Sequence, residues 1–151
     1  MIEEIQARAA EQLEFAEAPD RERELACCKR FLKDEGARLK KLHRGGGLGR
    51  EVCEVRAAVI DALIGELFKT ALNRASSGKS KNPPAIAVVA LGGYGRAELN
   101  PQSDIDIQFL CGDALLIGAQ PHELLQIVTD TVLYTLWDVG LKIGHSVRRV
   151  S

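Results

Sequence analysis

The chain has 151 residues, 46% of them hydrophobic, enough for one domain with a real core but short for a multidomain regulator. Its 20 basic side chains nearly balance 21 acidic ones, and the net charge of −1 gives no support to a nucleic-acid partner. There is no apolar run long enough to span a bilayer and no signal-peptide pattern. The four cysteines, Cys27, Cys28, Cys53 and Cys111, lack metal-ligand spacing, so a reduced, cytoplasmic chain without a membrane role is expected.

The first half reads as helical. Ile2, Ile5, Ala9, Leu13 and Ala16 recur at helical spacing until Pro19-Asp20 interrupts them, with Asp20 placed to cap the next helix. Leu25, Cys28, Phe31, Leu32, Leu39 and Leu42 form a second apolar stripe that Gly45-Gly46-Gly47 ends. Val52, Val55, Val59, Leu63 and Leu67 form a third. These stripes are core contacts, not ligand positions. Residues 1–74 are therefore read as a helical lead-in and 75–84, rich in Ser, Lys and Pro, as a flexible basic linker. Gly78-Lys79-Ser80 within it imitates the end of a phosphate-binding loop. The first glycine that such a loop needs is replaced by Asn73, and the segment follows a helix where a strand is required, so a surface loop is the better reading.

From residue 85 the pattern changes. Ala85 to Leu91 is a short apolar run behind Pro83-Pro84, and Ile105 to Leu110 alternates apolar and polar, so both read as strands. Between them lies Gly92-Gly93-Tyr94-Gly95-Arg96. Alternation puts Asp104, Asp106 and Gln108 on one side of the second strand and Ile105, Ile107 and Phe109 on the other. Carboxylates one strand repeat apart, about 7 Å between alternate Cα atoms, repel unless a cation stands between them. Magnesium suits them, because it takes oxygen ligands, needs few from the protein and completes its shell with substrate phosphates. Gly92 and Gly93, lacking Cβ atoms, let the backbone approach a triphosphate and point N–H groups at it. Arg96 either holds the turn through carbonyl groups or contacts phosphate, Glu98 is read as its structural partner, and Ser103 is a phosphate candidate with capping as its other reading.

Leu124, Leu125, Val128, Val132, Leu133 and Leu136 then suit a helix over residues 121–137 packed on a sheet, with Pro121 in its first turn. Gly140 releases the chain into a third strand. There Leu141, Ile143, His145 and Val147 share one face and Lys142, Gly144, Ser146 and Arg148 the other. With the apolar set against the helices, Lys142 and Arg148 look toward the cleft as phosphate candidates, and His145 is read as a core or shell histidine.

A strand ending in Gly-Gly, followed by Asp-x-Asp on a second strand, resembles the DNA polymerase beta type nucleotidyltransferase superfamily. The local wording is narrower. Gly92-Gly93-Tyr94-Gly95-Arg96-Ala97-Glu98-Leu99 followed by Pro101-Gln102-Ser103-Asp104-Ile105-Asp106 is similar to the PII protein uridylyltransferases, bifunctional uridylyltransferase/uridylyl-removing enzymes. The stretches Leu42 to Val52 leading to Ile60-Asp61, and Leu136 to Arg148, resemble the same family, so the likeness spans roughly residues 42–149.

The resemblance implies an α+β, polymerase beta-like fold, with a helical amino-terminal half and a small mixed sheet carrying packed helices over 85–151. It implies transfer of UMP from UTP to a tyrosine of a small PII signalling protein, with Asp104 and Asp106 binding magnesium as the catalytic pair. Gly92, Gly93, Arg96, Ser103, Lys142 and Arg148 would hold the triphosphate. Superfamily members usually add a third carboxylate from a neighbouring strand, yet no acid occurs between Gly140 and Ser151. The chain is accordingly read as an amino-terminal piece of a longer parent, one that binds nucleotide without transferring it. Adenylylation of a protein, nucleotide addition to RNA, and a noncatalytic nucleotide-sensing module are the competing readings.

Overall fold

Three long helices come first in the computed structural model, whose described residues are 1–76, 85–115 and 123–150. They are α1 (Ile2–Gln12), α2 (Arg21–Arg44) and α3 (Gly49–Ser76), and the boundaries follow from local chemistry. Asp20 caps α2, its carboxylate accepting from the Arg23 N–H at 3.2 Å. The α1 stripe is shorter than its sequence spacing suggests: Ile5, Ala9 and Leu13 are buried, but the helix ends at Gln12 and Ala16 lies beyond it. The Ala16 carbonyl instead accepts from Arg74 near the end of α3. Of the linker reading, residues 77–84 lie outside the described residues, as does the Gly78-Lys79-Ser80 imitation.

The central helix is α3. Ala57, Ala58, Val59, Ile60, Ala62, Leu63, Ile64, Leu67 and Ala71 are all buried, so it is apolar around most of its circumference and packs against α1, α2 and α5 (Glu123–Asp138). The stripe expected on α5 is buried at Leu125, Val128, Val132, Leu133 and Leu136, while Pro121 lies outside the described residues. A left-handed glycine, Gly140 at φ +90°, ends α5, and the Leu141 N–H closes back on the Leu136 carbonyl.

Three strands form one mixed sheet in the order β1 (Ile86–Ala90), β2 (Ile105–Cys111) and β3 (Ile143–Arg149). β1 runs antiparallel to β2, with Val88 opposite Phe109, and β3 runs parallel to β2, with Asp106 opposite Gly144. Alternate side chains decide the faces. Ile105, Ile107, Phe109 and Cys111 are buried toward the helices, and Asp106, Gln108 and Leu110 between them are exposed or half-buried. Among the described residues the result is the α+β architecture expected, a helical first half followed by a small mixed sheet, with five α-helices and three strands in all.

Candidate active site

β1 leads directly into a one-turn helix, α4 (Gly92–Gly95), which forms the glycine turn. Its entry needs glycine: Gly92 has φ +58°, a left-handed conformation that L side chains rarely adopt. Gly95, which the sequence reading did not single out, needs glycine for space, since a Cβ there would stand 2.6 Å from the Ala90 carbonyl oxygen. The turn is fastened from below by Tyr94. Its ring is 5% exposed and its hydroxyl donates to Asp61 Oδ1 on α3 at 2.6 Å. Burial first, then the Asp61 carboxylate, pushes the Tyr94 phenol well above the usual tyrosine range.

Asp106 reaches the same place from β2. Its backbone carbonyl accepts from the Leu91 N–H at 2.9 Å, extending the ladder to the foot of the turn. A Cβ on Gly92 would lie 3.4 Å from Asp106 Oδ2, which puts the carboxylate beside the turn's entry. Asp104 immediately precedes β2 and is exposed, and alternation places it on the Asp106 side. The Ile105 N–H donates to the Lys142 carbonyl at 2.9 Å, and one step back from Ile105 opposite Ile143 sets Asp104 beside Lys142.

Gly92, Asp104, Asp106 and Lys142 thus gather at one end of the open sheet face. The other candidates separate from them. Arg96 is exposed and its Nε donates to Glu98 at 2.9 Å, the structural partnership anticipated for Glu98. The Gly93 carbonyl accepts from the Arg96 and Glu98 N–H groups, so Gly93 lies within the closed turn. Ser103 donates its hydroxyl to the Asn100 carbonyl at 2.8 Å, which closes the 100–103 turn and is not a helix cap. Arg148 shares the open face but stands opposite Leu110, four residues along β3 from Gly144 and so about 13 Å away. His145 lies on the helix side of β3 with its ring 5.6 Å from Trp137 in an edge arrangement, but it is exposed, as is Val147, so it is not the core histidine expected: the helices cover only the start of this strand.

The donor chemistry fits a hard cation. Two exposed carboxylates face one side, and no basic side chain of the described residues forms an ion pair with either. Among the described residues, no group of three or more His, Cys, Asp or Glu could hold a metal unaided. Such a pair suits magnesium bound jointly with phosphates. A groove of about 370 Å³ between α3 and β1, lined by Asp61, Phe68, Val88, Tyr94 and Ile107, includes neither Asp104 nor Asp106. The carboxylates, with their exposed oxygens, mark the chemistry better than that apolar hollow.

Over residues 1–125 the sequence matches the glutamate-ammonia ligase adenylyltransferase family. The chain belongs to that family. It is also similar to curated proteins named bifunctional uridylyltransferase/uridylyl-removing enzyme. The protein from Pseudomonas putida strain GB-1 is 37% identical over 126 residues, which is 83% of this chain and 13% of the relative. That from Thiobacillus denitrificans is 39% identical over 119 residues, 79% of this chain and 12% of the relative. That from Nitrosococcus oceani is 32% identical over 145 residues, 96% of this chain and 14% of the relative. The chain spans about an eighth of the length of the curated relatives it matches. No solved structure matches it. Adenylyltransferase and uridylyltransferase differ in base, and what the names share is nucleotidyl transfer.

Two features of the site escaped sequence reasoning. The Asp61–Tyr94 tie joins residues 33 apart, and only an acid set within the otherwise apolar run Ala57–Ile64 hinted at it. The position of Gly144 opposite Asp106 depends on strand register, which the spacing of side chains does not reveal.

Proposed function

We propose that this nucleotidyltransferase-family chain carries the donor-binding half of a uridylyl-transfer site, which in its full context moves UMP from UTP to a tyrosine hydroxyl of a PII signalling protein. The observation that carries the reading is the meeting of Gly92 with the Asp106 carboxylate, which brings the glycine turn and the Asp-x-Asp strand to one point. The turn offers backbone N–H groups to phosphate oxygens, and Asp104 and Asp106 would hold magnesium against the same phosphates. Bound magnesium supplies charge neutralisation and alignment of the triphosphate. The acceptor oxygen forms a bond to the α-phosphorus, the bond to the bridging oxygen breaks, and pyrophosphate leaves. Lys142, which the strand register sets beside Asp104, would take up part of the phosphate charge. Uracil as the base rests on the names of the relatives, and the family's adenylyltransferase name makes ATP the competing donor.

Calorimetry with manganese and UTP or ATP tests the site. Asp104→Asn with Asp106→Asn should abolish metal-dependent nucleotide binding without unfolding the chain, because both side chains are exposed. Undiminished affinity in the double variant would reject the assignment. Tighter ATP than UTP binding would favour adenylyl transfer. In a single-turnover assay with labelled UTP and a PII protein, the 151-residue chain should bind nucleotide yet leave the acceptor unlabelled, since the acceptor proton has no third carboxylate to receive it among the described residues. Labelling by this chain alone would show that two acids suffice.

A further inference from the structure

We infer that Gly144 is a positioning residue: its missing side chain forms the slot that holds the Asp106 carboxylate toward the glycine turn. The inference rests on the reading of Asp106 as a metal ligand. Gly144 lies directly opposite Asp106 in the parallel β2–β3 pairing, and a Cβ built on it would stand 2.4 Å from Asp106 Oδ1. No real Cβ makes such a contact, so any larger residue must turn the carboxylate aside. The backbone does not ask for glycine here, because Gly144 is absent from the left-handed glycines, which among the described residues are Gly46, Gly92 and Gly140. Its requirement is therefore one of space, and that space is filled by a charged group from the neighbouring strand.

On its other side the carboxylate meets Gly92, where a Cβ would be 3.4 Å from Oδ2. Asp106 thus sits between two glycines from two different elements, one on β3 and one at the start of α4. Only the Gly144 flank is tight: carbon there would swing the oxygens out of line with Asp104 and the turn, whereas 3.4 Å from Gly92 is ordinary van der Waals contact.

The test separates this inference from the reading beneath it. Manganese binding, followed by the paramagnetic signal of the free ion, is measured for the parent, Asp106→Asn, Gly144→Ala and the Asp106→Asn/Gly144→Ala pair, and thermal unfolding without metal for each. Gly144→Ala should weaken manganese binding at least about tenfold, the scale seen when a group that orients a ligand is lost. It should cost nothing further in the Asp106→Asn background. If Asp106→Asn binds manganese like the parent, the underlying reading fails. If Asp106→Asn loses binding while Gly144→Ala keeps it, the slot is wrong and the ligand assignment stands. Should Gly144→Ala unfold, its thermal stability in an Asp106→Ala background decides. Recovery there shows that the Cβ and the carboxylate compete for one space, and equal loss in both backgrounds overturns the inference.

Discussion

Tyr94 is the residue whose chemistry exceeds its packing. A phenylalanine would fill the same buried volume, but only the hydroxyl reaches Asp61 at 2.6 Å and ties the glycine turn to α3. Asp61 is exposed, so on Tyr94→Phe water can take over its free oxygen, and the stability cost should be about 1 kcal/mol. Nucleotide affinity should fall by more than that, because the turn loses its anchor. Calorimetric titration set beside thermal unfolding measures both, and an equal loss in the two would reduce Tyr94 to a packing residue. At this scale the sequence was informative about residue types and silent about partners. The glycines and acids stood out by spacing, but Ser103 and Arg96 proved to have local partners, Asn100 and Glu98, that compete with any phosphate for them.

Helices α1 and α2 are joined by a buried ion pair that apolar stripes do not reveal. Glu35 is 2% exposed and takes two hydrogen bonds from Arg8, at 2.6 and 2.9 Å, with Arg38 further off at 3.4 Å. A carboxylate so enclosed depends on its partners, and removal of the fork that satisfies both oxygens strands a charge. Arg8→Met should therefore cost about 3 kcal/mol, near the lower end for breaking a buried pair. Arg38→Met, at a site 58% exposed, should cost under about 1 kcal/mol. Denaturant midpoints of the two variants give the comparison, and equal midpoints would contradict it. Element existence was legible because helix and strand periods differ: the α5 stripe and the alternation of β2 appear where expected. Pairing was not, since nothing in β3 alone states that Gly144 lies opposite Asp106.

For the molecule as a whole, buried acidic protons set an upper limit on pH tolerance. Burial pushes the Cys28 thiol from its ordinary 9.0 to about 12 and also raises Cys111 and Tyr94. Well below pH 9 these groups are protonated in both folded and unfolded chains and contribute no slope. Above it the unfolded chain releases protons that the folded chain keeps, which favours unfolding. Stability should fall from about pH 9 upward, by up to about 1.4 kcal/mol per pH unit for each proton retained. Cys28→Ala should flatten the fall between pH 9 and 12. Urea titrations across that range check it, and an unchanged slope would mean that Cys28 titrates in the folded chain as it does in the unfolded one.

The parallel pairing of β2 with β3 spans an intervening segment that includes α5, whereas β1 meets β2 after a shorter excursion. Contacts separated by more chain close later and more slowly. The site draws on both kinds: the glycine turn with Asp106 belongs to the early pairing, and the bed beneath that carboxylate arrives only when β3 docks. A ligand that needs the finished arrangement has nothing to grip in the folding transition state. Manganese with nucleotide should then leave the refolding rate unchanged and act wholly by retarding unfolding. Trp137, the sole tryptophan, stacks edge-on with His145 across the α5–β3 contact and reports that docking step by fluorescence. Stopped-flow traces in which ligand accelerates refolding would place β3 in the nucleus, and binding would then help the protein to fold as well as to stay folded.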